Sequence, residues 1–295
     1  MLSVVRASRR AFRTTADGRR GAGRIRASRP PLGSRSAARM TLRDDARSPA
    51  EVTCLRSTHR PSRRRPGPEE TDVTDQTIAR QVDDFNQGFT TQIGPELSAV
   101  FDGEQADLRA SGVPDGVVGV GETAPDARLV TPTGDETSFA AVRGSTPTVV
   151  VFYRGAWCPY CNITLRTYQQ ELLPALRERG VQLVAVSPQT PEAAEQSIAN
   201  GELEFPVLTD PENVLAGRFG IVTEPSDAAR AAHTQLGFDV ADSNADDTAA
   251  IPFPSVFVID ADGVVRSADV HVDYTTRTEV ADVLTAVDAL VVPAP

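Results

Sequence analysis

Apolar residues along this chain come in short unbroken runs that alternate with runs at helical spacing. Val149, Val150, Val151, Phe152 and Tyr153 stand together between breakers, which predicts a strand buried on both faces. VQLVAV at 181–186 and SVFVI at 255–259 predict two more such strands, and 205–208 a shorter one. Leu165, Tyr168, Leu172, Leu173 and Leu176 fall on one helical face that ends at Gly180, with Pro174 expected to kink it. Helices are also predicted over 191–200 and 212–219. The last is predicted over 276–291, where Val280, Val283, Leu284, Val287 and Leu290 share a face. Short strands flank the Gly134-Asp135 turn as a hairpin, and Ala261-Asp262-Gly263 turns the chain into a strand over 264–272. Alternating strands and helices followed by a hairpin and a helix predict a three-layer α/β domain with a mixed central sheet.

Upstream, Ile78, Val82, Phe85, Phe89 and Ile93 form an amphipathic helical stripe, with Thr74 or Asp75 as the expected cap. Gly94-Pro95 should break it, Leu97, Val100 and Phe101 continue it briefly, and 111–121 reads as a linker. Such a helix needs a surface to cover, either the main domain or a second copy of the chain in a homodimer. The polar, acidic stretch 223–250 reads as an inserted loop with some helix. The expected organisation is therefore a segment over 1–72, a helical extension over 73–112 and the α/β domain over 115–292.

Charge divides the chain at the same place. It has no lysine, and residues 1–65 hold 18 Arg against 4 acids, whereas 66–295 hold 12 Arg against 36 acids. The acidic main part argues against nucleic acid as its partner. Residues 1–72 are rich in Arg, Ser, Pro and Gly and poor in large apolar side chains, so disorder is expected there. Ser8-Arg9-Arg10 lacks the apolar region that a twin-arginine export signal requires. An organelle transit peptide is one reading of the segment. The favoured one is a translated upstream stretch of a GC-rich gene, with the true start at Met40 or at a later codon such as Val73. No window is apolar and long enough to span a membrane, and the expected setting is cytoplasmic.

The chemistry lies in PTVVVFYRGAWCPYC at 147–161. Gly155 permits a tight turn after the strand, and a helical pattern begins at the cysteines. Strand, turn, Cys-x-x-Cys and helix is the layout of a thiol redox site. Cys158 falls at the expected N-cap, where free backbone N–H groups and the helix dipole favour a thiolate, and Pro159 suits the first helical position. Cys161 lies three residues on, within reach of a disulfide with Cys158. A zinc site would need two further ligands, and Cys54, His59, His233 and His271 form no second paired motif. Two inert core cysteines are the remaining alternative.

With these residues in view, 123–292 resembles the thioredoxin-fold redoxins, specifically the peroxiredoxin-like branch of the alkyl hydroperoxide reductase and thiol-specific antioxidant superfamily. GETAPDARL, VVVFYRGAWCPYCNITLRTYQ, VQLVAVSPQTPE, FPVLTDPENVLAGRFGI and PFPSVFVIDADGVVR match its segments in order. The resemblance implies a thioredoxin-like fold and a thiol-dependent peroxidase acting on hydroperoxides. It makes Cys158 the attacking and Cys161 the resolving cysteine, and Pro254 the cis-proline that faces them. It implies no cofactor, and thioredoxin or a similar dithiol as reductant. Typical peroxiredoxins carry proline seven and threonine three residues before the attacking cysteine, where this chain has Val151 and Gly155. The Cys-Pro-Tyr-Cys core also resembles glutaredoxin sites, which keeps a dithiol–disulfide oxidoreductase open as the rival, and a redox sensor without turnover as a third reading. Arg154 and Arg166 are candidates to stabilise the thiolate.

Overall fold

The computed structural model describes residues 77–291. Thr74, Asp75, Cys54, His59 and the expectations for 1–72 lie outside the described residues. In chain order the elements are α1 (Ile78–Ser111), β1 (Arg128–Val130), β2 (Glu136–Ser138), α2 (Phe139–Arg143), β3 (Thr148–Phe152) and α3 (Pro159–Thr167). A π-helical turn, Tyr168–Leu172, joins α3 to α4 (Leu173–Glu178), and β4 (Gln182–Ser187), α5 (Pro191–Gly201), β5 (Val207–Thr209) and α6 (Val214–Arg218) follow. The chain then forms β6 (Val222–Thr223), α7 (Asp227–Gln235), β7 (Ile251–Pro252), β8 (Ser255–Ile259), β9 (Val265–Val270) and α8 (Val280–Val291).

Seven strands make one mixed sheet in the order β2-β1-β5-β4-β3-β8-β9. β3 runs parallel to β4 and antiparallel to β8, so the strand that leads to the cysteines is bonded on both sides. Every residue of β3 is buried, and its alternation sorts the core. Val149 and Val151 pack with α3, α4 and α8 on one face, and Val150 and Phe152 pack with α2 and α6 on the other. The sheet flanked by helices is the expected thioredoxin-like architecture.

Two local features, the cap of α1 and the peptide bond of Pro254, differ from the sequence reading. The N-cap of α1 is Thr77, whose hydroxyl accepts from the Arg80 N–H. Gly94, at φ 81 and ψ 168, interrupts the helical backbone as expected, and a second helical run carries α1 on to Ser111. Glycine takes the left-handed conformation without penalty, and the fixed φ of Pro95 suits the start of a new helical run. Pro174, expected to kink its helix, stands in the first turn of α4 just after an irregular turn. Lacking an N–H for the carbonyl four residues back, it follows the π-helical turn that absorbs the mismatch. Pro254, which the resemblance matched to a cis-proline, has a trans peptide bond, and no cis bond occurs among the described residues. The trans isomer is the one an X–Pro bond favours by about 0.5–1 kcal/mol.

α1 covers its own domain. The Glu279 carboxylate accepts the Ile78 and Ala79 N–H groups at 2.9 and 2.8 Å, which satisfies two of the free donors at the helix start and places an anion there. Ile78 and Val82 are buried in the core beneath. Phe85 meets Tyr160 edge-on at 5.5 Å, and the Tyr160 hydroxyl donates to Asn86 at 2.8 Å. The active-site helix is thus roofed by the extension. We predict that Glu279→Ala lowers stability by about 1–2 kcal/mol, with faster proteolysis within 78–93, because two charge-assisted caps vanish together. Denaturant unfolding combined with peptide mapping of the first cleavage checks this, and an unchanged midpoint contradicts it.

Candidate active site

The site forms where β3 ends. Tyr153, Arg154 and Gly155 leave the sheet, and the chain turns over Ala156 and Trp157 into α3. Cys158 is the N-cap with extended backbone and Pro159 opens the helix, as its missing N–H allows. The Cys158 N–H donates to the Gly155 carbonyl at 3.1 Å, and the Asn162 side chain donates to the Ala156 carbonyl at 2.9 Å. Gln189, fully buried after β4, fastens this turn to the sheet. Its amide oxygen accepts from the Ala156 N–H at 2.7 Å, and its amide nitrogen donates to Tyr153 Oη at 2.6 Å and Ser197 Oγ at 2.9 Å.

Both cysteines are reduced and buried, with their sulfurs 2.9 Å apart. Arg277, on the segment between β9 and α8, directs Nη2 at the pair, 3.3 Å from Cys161 Sγ and 3.9 Å from Cys158 Sγ. Arg154 adds a second positive charge. Sulfurs this close share one proton. Burial raises Cys158 well above the usual thiol range, and its neighbour Cys161 adds to the rise. Burial also opposes ionisation of Cys161, but the hydrogen bond from Cys158 and the Arg277 charge prevail and lower it to about 5. Helix position alone favours the anion at Cys158. In the closed reduced pair it rests on Cys161, because Arg277 lies nearer that sulfur.

Arg154 is 5% exposed. Its guanidinium carbon lies 4.8 Å from the centre of the Trp157 ring and 4.1 Å from that of Tyr274, so both faces of the cation meet aromatic rings. Trp157 in turn belongs to an aromatic box with His233 at 5.7 Å and Phe238 at 5.5 Å. Burial, with Arg154 adding to it, lowers His233 to about 4, so the ring is neutral. Arg166 does not take part. It reaches out to the Asn200 carbonyl at 2.7 Å, at the surface.

A narrow cleft opens beside Cys161 and Arg277, with Pro254, Thr164 and His271 among its walls. Among the described residues, no three His, Cys, Asp or Glu side chains gather in a group that could hold a metal. Of the functional residues that sequence reasoning missed, Gln189 lies inside the VSPQTPE segment, which the resemblance had marked. Arg277 and Tyr274 sit in an unremarkable polar stretch before the last helix, with no local signal to find them.

A buried dithiol at the head of a helix, following the central strand of this sheet, has the layout of a thiol redox site on a thioredoxin-like fold. The AhpC/TSA family model matches residues 120–268, and the chain belongs to that family. Curated relatives include the thiol-disulfide oxidoreductases ResA of Geobacillus kaustophilus, 29% identical, and of Geobacillus thermodenitrificans, 30% identical, each over 110 residues. Those matches cover 37% of this chain and 62% of each relative, so the chain spans about three-fifths of the length of the relatives it matches. Similar solved structures include the peroxidoxin BcpB of Mycobacterium tuberculosis, 20% identical with a TM-score of 0.44, covering 61% of this chain and 97% of that one. Another is AhpC of Mycobacterium tuberculosis, 17% identical with a TM-score of 0.44, covering 59% and 93%.

Two predictions follow from the turn and the box. Gly155 has φ +148, and a Cβ there would lie 2.6 Å from Trp157 Nε1 and 3.2 Å from Gln189 Oε1. Gly155→Thr, which restores the hydroxyl of typical peroxiredoxins, is therefore expected to destabilise the protein by about 3 kcal/mol and to slow thiol turnover. A stable variant with faster peroxide consumption would show that the turn accommodates threonine. For His233, the unfolded chain binds a proton below pH 6.5 while the folded protein holds the ring neutral down to about 4. The stability this provides is intact above 6.5 and is lost as the pH falls to 4, by on the order of 3 kcal/mol. His233→Phe should flatten that part of the stability curve relative to the parent chain, and parallel curves from urea melts across pH 4–7 would refute the assignment.

Proposed function

We propose that the protein is a thiol-dependent peroxidase. The observation that carries the reading is a reduced, partly ionised dithiol held against Arg277 and closed to the surface except through a small cleft, which suits a substrate of peroxide size better than a protein disulfide. Cys158 is the sulfur that the resemblance matches to the attacking position, and it becomes the thiolate by passing its share of the proton to Cys161 across 2.9 Å. The thiolate attacks one oxygen of the hydroperoxide, the O–O bond breaks, and the leaving alkoxide or hydroxide takes up a proton. Arg277 and Arg154 offset the charge that moves onto it. The Cys158 sulfenic acid then condenses with the Cys161 thiol, expelling water and forming the disulfide. An external thiol returns the pair to the dithiol by exchange, and thioredoxin or a similar dithiol is the reductant that the family implies. We place the cycle in the cytoplasm, where such reductants are kept reduced.

A second reading, a dithiol–disulfide oxidoreductase, is favoured by two observations: the curated relatives carry that activity in their names, and Gly155 stands where a peroxide-orienting threonine would be. Peroxide consumption measured beside insulin disulfide reduction separates the two. Within the peroxidase cycle, Cys158→Ser is expected to abolish turnover, at least about a thousandfold, while Cys161→Ser reacts once and stops as a sulfenic acid. Dimedone labelling with mass spectrometry of both variants decides it. A label on Cys161 alone would reverse the two roles.

A further inference from the structure

Arg277 lies on a segment between β9 and α8 that forms neither helix nor strand, yet its guanidinium is closely placed. Nη2 is 3.3 Å from Cys161 Sγ and 3.9 Å from Cys158 Sγ, so a small displacement would change which sulfur it favours. Its other terminal nitrogen, Nη1, donates to the Tyr274 and Thr276 carbonyls, each at 2.6 Å. The guanidinium therefore rests on its own segment and goes where that segment goes. The residues on both sides of Arg277 are tied to one imidazole. His271 Nδ1 meets Thr276 Oγ1 at 2.8 Å, and Nε2 meets Thr278 Oγ1 at 3.2 Å and Asp269 Oδ2 at 3.1 Å. The Thr278 hydroxyl donates to the same Asp269 oxygen at 2.8 Å. The hydrogen bond with His271 first, and the one from Thr278 with it, hold Asp269 below the ordinary carboxylate range, so it stays an acceptor near neutral pH. The His271 backbone N–H donates to the Pro254 carbonyl at 2.9 Å, and the residue lines the cleft beside Cys161 and Arg277. Thr278 is buried, and its carbonyl accepts from Tyr168 Oη at 2.7 Å. The path of the loop is already fixed by Asp273, whose carboxylate accepts from the N–H and hydroxyl of Thr275 and from Arg109 of α1. What the His271 ties add is a position for the one residue between them.

We propose that Asp269 and His271 are positioning residues: they clamp Thr276 and Thr278, and thereby set the distance of Arg277 from the two sulfurs, which sulfur is ionised and how readily the pair is oxidised. The proposal rests on the redox reading of the dithiol, though not on peroxide as its oxidant. Neither residue needs to touch sulfur or move a proton. Without the clamp the segment after Asp273 gains conformational freedom, and Nη2 spends less time beside Cys161. An opposite charge at this range is worth about 1–3 pH units in the ionisation of a thiol, so a partial loss of it is readable. Because the reduced pair carries the anion and the disulfide carries none, weaker placement of Arg277 also favours the disulfide.

The test uses the full chain and needs no peroxide. The first ionisation of the reduced pair is titrated by thiolate ultraviolet absorbance, and the dithiol–disulfide equilibrium is measured in glutathione buffers. Arg277→Gln should raise the titration midpoint by about 1–3 pH units. His271→Ala cuts both ties. Thr278→Val cuts the buried one, leaves His271 and any charge it carries in place, and is nearly isosteric, so it keeps the test open if His271→Ala does not fold. Each should raise the midpoint by about 1 pH unit and move the equilibrium toward the disulfide by about tenfold, or about 30 mV for two electrons. Thr278→Ser keeps the hydroxyl and should stay within about twofold of the parent equilibrium. In the Arg277→Gln background neither His271→Ala nor Thr278→Val should add a further shift, because the cation they place is gone. Arg154, Tyr153 and Tyr160 also face the pair and are unchanged in every variant. A clamp that serves stability alone would lower the melting temperature and leave midpoint and equilibrium where they were. That result, or a full shift by either variant in the Arg277→Gln background, overturns the proposal. A parent chain that titrates and oxidises as described yet is inert to peroxide would instead overturn the peroxidase reading and leave this one standing.

Discussion

Positive charge held inside the protein without a carboxylate to meet it is the constraint on which the site depends. A guanidinium removed from water loses its hydration, and the loss must be made good by something. For Arg154 it is made good by the ring faces of Trp157 and Tyr274, and for Arg277 by two backbone carbonyls and the sulfur pair. The dithiol and the arginines therefore depend on each other. The cations make one buried thiol ionise easily, and the resulting anion offsets the lost hydration of the buried Arg154 and the half-buried Arg277. Oxidation to a disulfide removes one side of this balance, so the oxidised protein differs from the reduced one in electrostatics as well as in covalent structure.

Several parts of the fold hold this arrangement in place. Gln189 ties the turn before Cys158 to β4 and α5, and Gly155 lets Trp157 pack against that turn without a clash. The neutral His233 and Phe238 back the far side of Trp157, which keeps its face toward Arg154. α1, fixed at its start by Glu279, brings Phe85 against Tyr160 and Arg109 to the Asp273 carboxylate. The helical extension is thus a brace for the site as well as a cover for the core.

Much of this was legible in the local text. The run at 149–153, the breaker Gly155 and the start of a helical pattern at Cys158 sufficed to place a strand, a turn and an N-cap, because each depends on residues next to one another. The extents of α1 and of the helix after Cys161 were less legible. Gly94-Pro95 does interrupt α1 and an irregular turn precedes Pro174, but how far each helix resumes afterwards depends on its packing on the sheet. Arg166 and Arg154 look alike as arginines near the cysteines, and only packing sends one to solvent and the other between two rings.

By itself the sequence determined the alternation of strands and helices, the pair Cys158 and Cys161 at a helix head, the family, and the divide between an arginine-rich beginning and an acidic main part. These follow from local periodicity and from short motifs in which chemistry and spacing coincide. Only the tertiary structure decided which charges meet the sulfurs. Arg277 stands more than a hundred residues from Cys161 along the chain, and it reaches the pair because β9 brings the segment before α8 back beside α3. The same holds for Tyr274, whose ring meets Arg154 only once that segment has returned beside the turn. Which sulfur carries the charge is set by distances of a few ångströms between groups far apart in sequence, and no local pattern encodes those.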